Sequence, residues 1–94
     1  MITLEDDART ILAEYFTENP ASAVRVYVAP RRSNGPRLAL APDVQNERDL
    51  VFELGGFTFL ISEHLAKQVR SVIIRARCAG FEVIPEIPFP TKSA

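Results

Sequence analysis

The stretch that decides the fold is "LVFELGGFTFLI", residues 50–61. Two apolar-rich segments flank the pair Gly55-Gly56, and glycine tolerates the positive φ angles that a tight hairpin turn requires. Such a run predicts two antiparallel strands joined by a two-residue turn. We therefore expect the centre of the chain to be β-sheet.

Downstream of this hairpin the chain predicts a short helix and two more strands. Ser62 is a suitable N-cap for the segment "EHLAKQV", residues 63–69, because its hydroxyl can accept from a main-chain amide of the first turn. The apolar runs at 71–76 and 81–84 predict strands. Residues 85–94 contain three prolines, which disfavour both helix and central strand, so we expect a Pro-rich C-terminal tail.

Upstream of the hairpin the chain predicts a helix and two strands. Thr3 is the expected N-cap, and the helix should end before Pro20 because proline disfavours helical backbone in the residue preceding it. Alternating apolar residues at 24–28 and 37–41 predict the strands, whereas the polar residues 42–49 are expected to be irregular. The helix has one apolar stripe at helical spacing, formed by Leu4, Ala8, Ile11, Leu12, Tyr15 and Phe16.

This order of elements predicts an α+β fold with mostly antiparallel or mixed strands, an N-terminal helix and a short second helix. The 94 residues, 47% hydrophobic and 24% charged, suit a single domain spanning 1–94. A net charge of −1 argues against nucleic acid, and no apolar run reaches the roughly 18 residues of a membrane span. The single cysteine and the absence of signal-peptide features favour a cytoplasmic location.

The most unusual segment is "PRRSNGPRLAL", residues 30–40, which predicts a shaped basic loop between the first two strands. Main-chain amides in such a turn can form an anion-binding concavity, and arginine side chains suit carboxylate or phosphate. The loop is either a solubilising segment or a binding site for an anion or acidic peptide. The residues of the second interpretation are Arg31, Arg32, Ser33, Asn34, Gly35 and Arg37.

The remaining reactive side chains are isolated. Cys78, the only thiol, is expected to be a small, partly buried residue at a strand end. His64 has no cysteine, histidine or acidic partner at zinc-like spacing and is expected to bind no metal. No nucleophile elbow accompanies Ser33. We therefore expect no enzymatic activity.

Several segments resemble the HesB/IscA-like family, the A-type iron–sulfur cluster carriers, over nearly the whole chain. The opening "MITLEDDA" is typical of the first helix of the family, and "VFELGGFTFLISEHLAKQV" is similar to its hairpin and short helix. "AGFEVIPEIP" resembles the family stretch "SGFKFNNPN". The family loop motif, similar to "GGGCSGLSYGLEFD", spans residues 30–43 without a gap, and Gly35, Leu40 and Asp43 match it.

The resemblance implies a single HesB-like domain, but the family's ligand positions lack cysteine in this chain. The cysteine of the loop motif falls on Ser33. The family's C-terminal Cys-Gly-Cys, counted from Phe81, falls on Lys92 and Ala94. Since iron–sulfur clusters need thiolates, we expect no metal site at these positions and no bound cofactor.

The function expected from the resemblance is that of a divergent, non-ligating protein-interaction or accessory factor related to iron–sulfur cluster assembly. It would act with a protein partner, and a homodimer is expected from the family. Two alternatives stay open. One is an anion or acidic-peptide binding module that uses the loop at 30–40. The other is a residual cluster or metal carrier in which Cys78 is shared across a dimer.

Overall fold

A computed structural model describes residues 1–29, 36–78 and 80–89 of the chain. Within these ranges the protein has seven strands and two helices. In chain order they are β1 (Ile2–Leu4), α1 (Asp6–Glu18), β2 (Ala23–Ala29), β3 (Arg37–Asp43), β4 (Asp49–Leu54), β5 (Phe57–Ser62), α2 (Glu63–Val69), β6 (Val72–Arg77) and β7 (Gly80–Pro85).

Strands β2 to β5 form a four-stranded sheet in the order β3-β2-β5-β4. Two antiparallel hairpins, β2–β3 and β4–β5, are joined by parallel pairing of β2 with β5. Leu54 pairs with Phe57 across the β4–β5 turn, where Gly55 and Gly56 have φ values of +59° and +87°. The hairpin predicted from the Gly-Gly pair is confirmed.

The remaining strands form a three-stranded sheet in the order β1-β6-β7. β1 runs parallel to β6, with Ile2 opposite Val72, and β7 runs antiparallel to β6. The prediction that a helix begins after Thr3 is wrong, because these first residues pair with β6. The main-chain amide of Glu5 donates to the carbonyl of Ile74 at 2.9 Å.

Helix α1 begins at Asp6, after the extended residue Glu5. Asp7 fixes this end of the helix, since its Oδ1 accepts from the amide of Ala8 at 2.7 Å and from that of Ala76 on β6 at 3.2 Å. Asp6 and Asp7 in the first turn also interact favourably with the positive end of the helix dipole. The helix therefore begins directly after β1, the outer strand of the three-stranded sheet.

One hydrophobic core joins the buried face of α1 to both sheets. Burial of each large aliphatic or aromatic side chain contributes about 1.5–3 kcal/mol to folding. Phe16 of α1 stacks on Phe57 of β5 with ring centroids 5.9 Å apart. The buried core residues are Ile2, Ala8, Leu12, Val24, Val26, Leu38, Phe59, Ile61, Leu65, Ala66, Val69, Val72 and Ile74.

Helix α2 is capped as predicted, because the hydroxyl of Ser62 accepts from the amide of Leu65 at 3.2 Å. After β7 the chain remains close to the end of this helix. The amide of Glu86 donates to the carbonyl of Ser71 at 2.7 Å, and the amide of Ile87 donates to that of Val69 at 3.2 Å. Neither described helix is both long and apolar enough to cross a membrane.

Candidate functional site

The predicted loop site falls largely outside the described part of the chain. Arg37 is the exception: it is the exposed first residue of β3 and pairs with Ala29 of β2. The other residues named from the sequence that lie outside the described ranges are Arg31, Arg32, Ser33, Asn34, Gly35, Lys92 and Ala94.

Cys78 lies in the turn between β6 and β7, and its thiol is exposed rather than partly buried as expected. Its φ of +55° places it in the left-handed region, which non-glycine residues adopt at a conformational cost. Arg77 of β6 pairs with Gly80 of β7, and Cys78 directly follows Arg77. At this position the thiol is open to solvent.

The described residues contain no cluster of three or more histidine, cysteine, aspartate or glutamate side chains that could hold a metal ion. His64 is the second residue of α2, and its side chain is exposed. His64 and Cys78 lie in different elements, α2 and the β6–β7 turn, and no hydrogen bond between described residues joins them.

A cleft of about 540 Å³ lies between the two sheets, where β3 of one is close to β7 of the other. Arg37 enters its lining from β3, and Arg77 enters from the end of β6. The guanidinium of Arg77 donates from Nη1 to Oε2 of Glu82 at 3.3 Å. The full lining is Arg37, Leu38, Arg77, Phe81, Glu82, Val83, Ile84 and Pro85.

An apolar cavity of about 110 Å³ lies between α1 and β3 and shares Phe81 with the cleft. Its lining comprises Leu12, Tyr15, Phe16, Val24, Leu40, Ala41, Pro42 and Phe81. Phe81 therefore lines both the charged cleft and the apolar cavity. The sequence indicated a strand at this position but gave no sign of either cavity.

A partly buried ion-pair network, which was not predicted from the sequence, lies at the end of the β2–β3 hairpin away from its connecting loop. Arg25 donates from Nη1 and Nη2 to the two carboxylate oxygens of Asp49, each at 2.6 Å, and from Nε to Asp43. The side chain of Asp49 is fully inaccessible, and that of Arg25 is 15% exposed. The hydrogen bonds from Arg25 lower the pKa of both carboxyl groups, and these carboxylates raise the pKa of Arg25.

The network also orders the connection between β3 and β4. Asp49 Oδ2 accepts from the amide of Asn46 at 2.9 Å, and Asn46 Oδ1 accepts from the amide of Arg48 at the same distance. The prediction that residues 42–49 are irregular is wrong at both ends, because β3 continues to Asp43 and β4 begins at Asp49. Every charged group of the network has a partner, so this cluster stabilises the hairpin rather than offering a ligand site.

No protein-family model matches the chain, and no curated protein sequence matches it. Two solved structures have the same architecture. A crystal structure of IscA with its 2Fe–2S cluster has a TM-score of 0.62 and 22% identity, covering 88% of this chain and 78% of that one. Escherichia coli SufA, involved in the biosynthesis of iron–sulfur clusters, has a TM-score of 0.72 and 19% identity, covering 89% and 79%. The chain therefore has the α+β, HesB-like fold of IscA and SufA, as the sequence predicted.

Proposed function

We propose that this protein is a divergent relative of the HesB/IscA-like proteins that acts in or near iron–sulfur cluster assembly through protein contacts. The observation that carries the proposal is the IscA- and SufA-like fold in a chain of 94 residues with one cysteine. The fold suggests the process, and the shortage of thiols suggests that cluster ligation is not the task of this chain. Its partner is a protein, and its setting is the reducing cytoplasm.

The chemistry of the ligand positions supports the non-ligating role. Iron–sulfur clusters are held by thiolates, usually four of them. The positions that the family resemblance assigns to cysteine are occupied by Ser33, Lys92 and Ala94. A serine hydroxyl stays protonated near neutral pH, a lysine ammonium has no lone pair to donate, and alanine has no donor atom.

Cys78 supports the strongest alternative, a carrier that shares this thiol across a homodimer. The thiol is exposed in the β6–β7 turn, so a second copy or an added thiol could reach it. A symmetric pair supplies only two thiolates, however, and a cluster of the usual kind needs two further ligands from outside. We therefore favour contact without ligation.

An enzymatic role has less support than either binding role. General acid–base or nucleophilic catalysis needs a nucleophile within hydrogen-bond reach of a base. In the described ranges, Cys78 and His64 belong to different elements and have no hydrogen bond to one another. The proposed function is accordingly that of a binding protein.

Anaerobic reconstitution with ferrous iron and sulfide tests the proposal. After desalting, bound iron per chain and visible absorbance are measured for the wild type and for Cys78→Ala. We expect no retained iron and no colour in either protein. Iron retained by the wild type and lost in Cys78→Ala would replace the proposal with the shared-thiol carrier, and iron retained by both would reveal ligands other than cysteine.

A further inference from the structure

The cleft between β3 and β7 is bounded by the outer strands of two different sheets. β3 pairs only with β2, and β7 pairs only with β6, among the described strands. An outer strand presents main-chain amides and carbonyls that an added extended segment can pair with. Addition of a strand to such an edge is a recurrent mode of peptide recognition.

Two arginines give the cleft a preference for negative charge. In the described residues Arg37 has no carboxylate within ion-pair distance. Arg77 has one such partner, Glu82, and its side chain is 70% exposed. The guanidinium group has five donors in a planar fork, so Arg77 retains donors for a second carboxylate. With one glutamate against two arginines, the lining has a formal charge of +1.

Apolar walls lie beside these charges. Leu38 of β3 and Phe81 of β7 line the cleft, and Phe81 also lines the apolar cavity beneath α1. Successive side chains of an extended peptide point to opposite sides. A segment in which acidic and apolar residues alternate can therefore direct carboxylates to the arginines and apolar side chains to these walls.

We propose that this cleft binds an extended acidic segment of a protein partner, with carboxylates at Arg37 and Arg77 and with main-chain pairing along β3 or β7. The cleft volume of about 540 Å³ is of the order of the roughly 300–1,000 Å³ of small-molecule sites, which is enough for the side chains of a few peptide residues. The inference rests on the proposed function through protein contacts and specifies what such a contact recognises.

The test is a titration of isotope-labelled protein, followed by amide chemical shifts, with the blocked peptide acetyl-Leu-Glu-Val-Glu-Leu-amide. We expect saturable shifts centred on Leu38, Val83 and Ile84. Arg37→Gln and Arg77→Gln should each weaken binding by about fivefold or more, as expected for loss of a charge-assisted hydrogen bond. Arg48→Gln removes a third exposed arginine and should leave the affinity unchanged.

Three results would overturn the inference. One is an absence of shifts at millimolar peptide, and another is equal affinity in the wild type and both cleft variants. The third is an equal response to inorganic phosphate, to glutarate or to the Gln-for-Glu peptide, which would indicate a simple anion site or an apolar one. The amide spectra of the variants report whether each is folded. The iron measurement is independent, so failure of peptide binding leaves the non-ligating role standing.

Discussion

Arginines lie at both ends of the β2–β3 hairpin, and their surroundings differ. At one end Arg25 is mostly buried and bound to two carboxylates, Asp43 and Asp49. At the other end Arg37 is exposed beside the cleft, in company with Arg77. Arg25 is a structural cross-link because two carboxylates of the chain hold it, whereas Arg37 and Arg77 are, in our proposal, the groups that recognise a partner.

The first end should matter most for stability. Asp49→Asn removes the charge that pairs with Arg25 and leaves a largely buried guanidinium with weaker acceptors. We expect the free energy of unfolding to fall by about 2 kcal/mol, the order of a hydrogen bond to a charged group. Urea denaturation measures the change. Asp43→Asn is the matched control and should cost less, because the Asp43 side chain is 46% exposed.

The same network predicts the direction of the response to acid. The pKa of Asp49 is lowered in the folded state, chiefly by hydrogen bonds from Arg25. Its contribution is therefore complete above the ordinary carboxyl pKa of about 4 and is lost as the pH falls through the lower folded value. Melting temperatures of the wild type should drop more steeply below pH 4 than those of Asp49→Asn. Parallel curves for the two proteins would contradict this assignment.

Next to the cleft residue Arg77, relief of backbone strain at Cys78 should make the protein more stable. Cys78 has the left-handed φ that glycine adopts freely. Cys78→Gly should raise the free energy of unfolding by about 0.5–1 kcal/mol, because the relief exceeds the entropy that glycine adds to the unfolded chain. Cys78→Ala keeps the strain and should be nearly neutral. Equal stability of the two variants would show that the turn is not strained.

The smallest effect is expected from the cleft arginines themselves. Arg37→Gln and Arg77→Gln should each change the free energy of unfolding by less than about 0.5 kcal/mol, since exposed substitutions and surface ion pairs contribute little. The measurement is the same urea denaturation as for Asp49→Asn. If either variant lost as much free energy of unfolding as Asp49→Asn, the cleft arginines would also be structural residues. The contrast between them and Arg25 would then not hold.

The parts of this fold that the sequence predicts are those governed by local chemistry. Gly55-Gly56 indicates a turn because φ must be positive there, and Ser62 indicates a helix start because its hydroxyl can accept from the first turn. β1 has only three residues and depends on parallel pairing with β6, so helical periodicity around Leu4 predicted a helix instead. Tertiary pairing outweighed local preference at that position.

The polar sites depend on partners that are distant in the chain. Arg25 forms ion pairs with Asp43 and Asp49, which are 18 and 24 residues away in the chain. The alternation of polar and apolar residues along a strand does not show which distant side chains will pair. The cleft likewise requires β3 of one sheet to lie beside β7 of the other. The loop composition indicated basic character near Arg37, whereas the contribution of Arg77 became evident only from the fold.

The central claim is that this chain keeps an IscA-like fold without the thiolates that hold a cluster. The most direct measurement compares bound iron after anaerobic reconstitution in the wild type and in a triple variant, Ser33→Cys, Lys92→Cys and Ala94→Cys. We predict no retained iron in the wild type, and retained iron with visible absorbance in the variant. Stoichiometric iron in the wild type would contradict the claim.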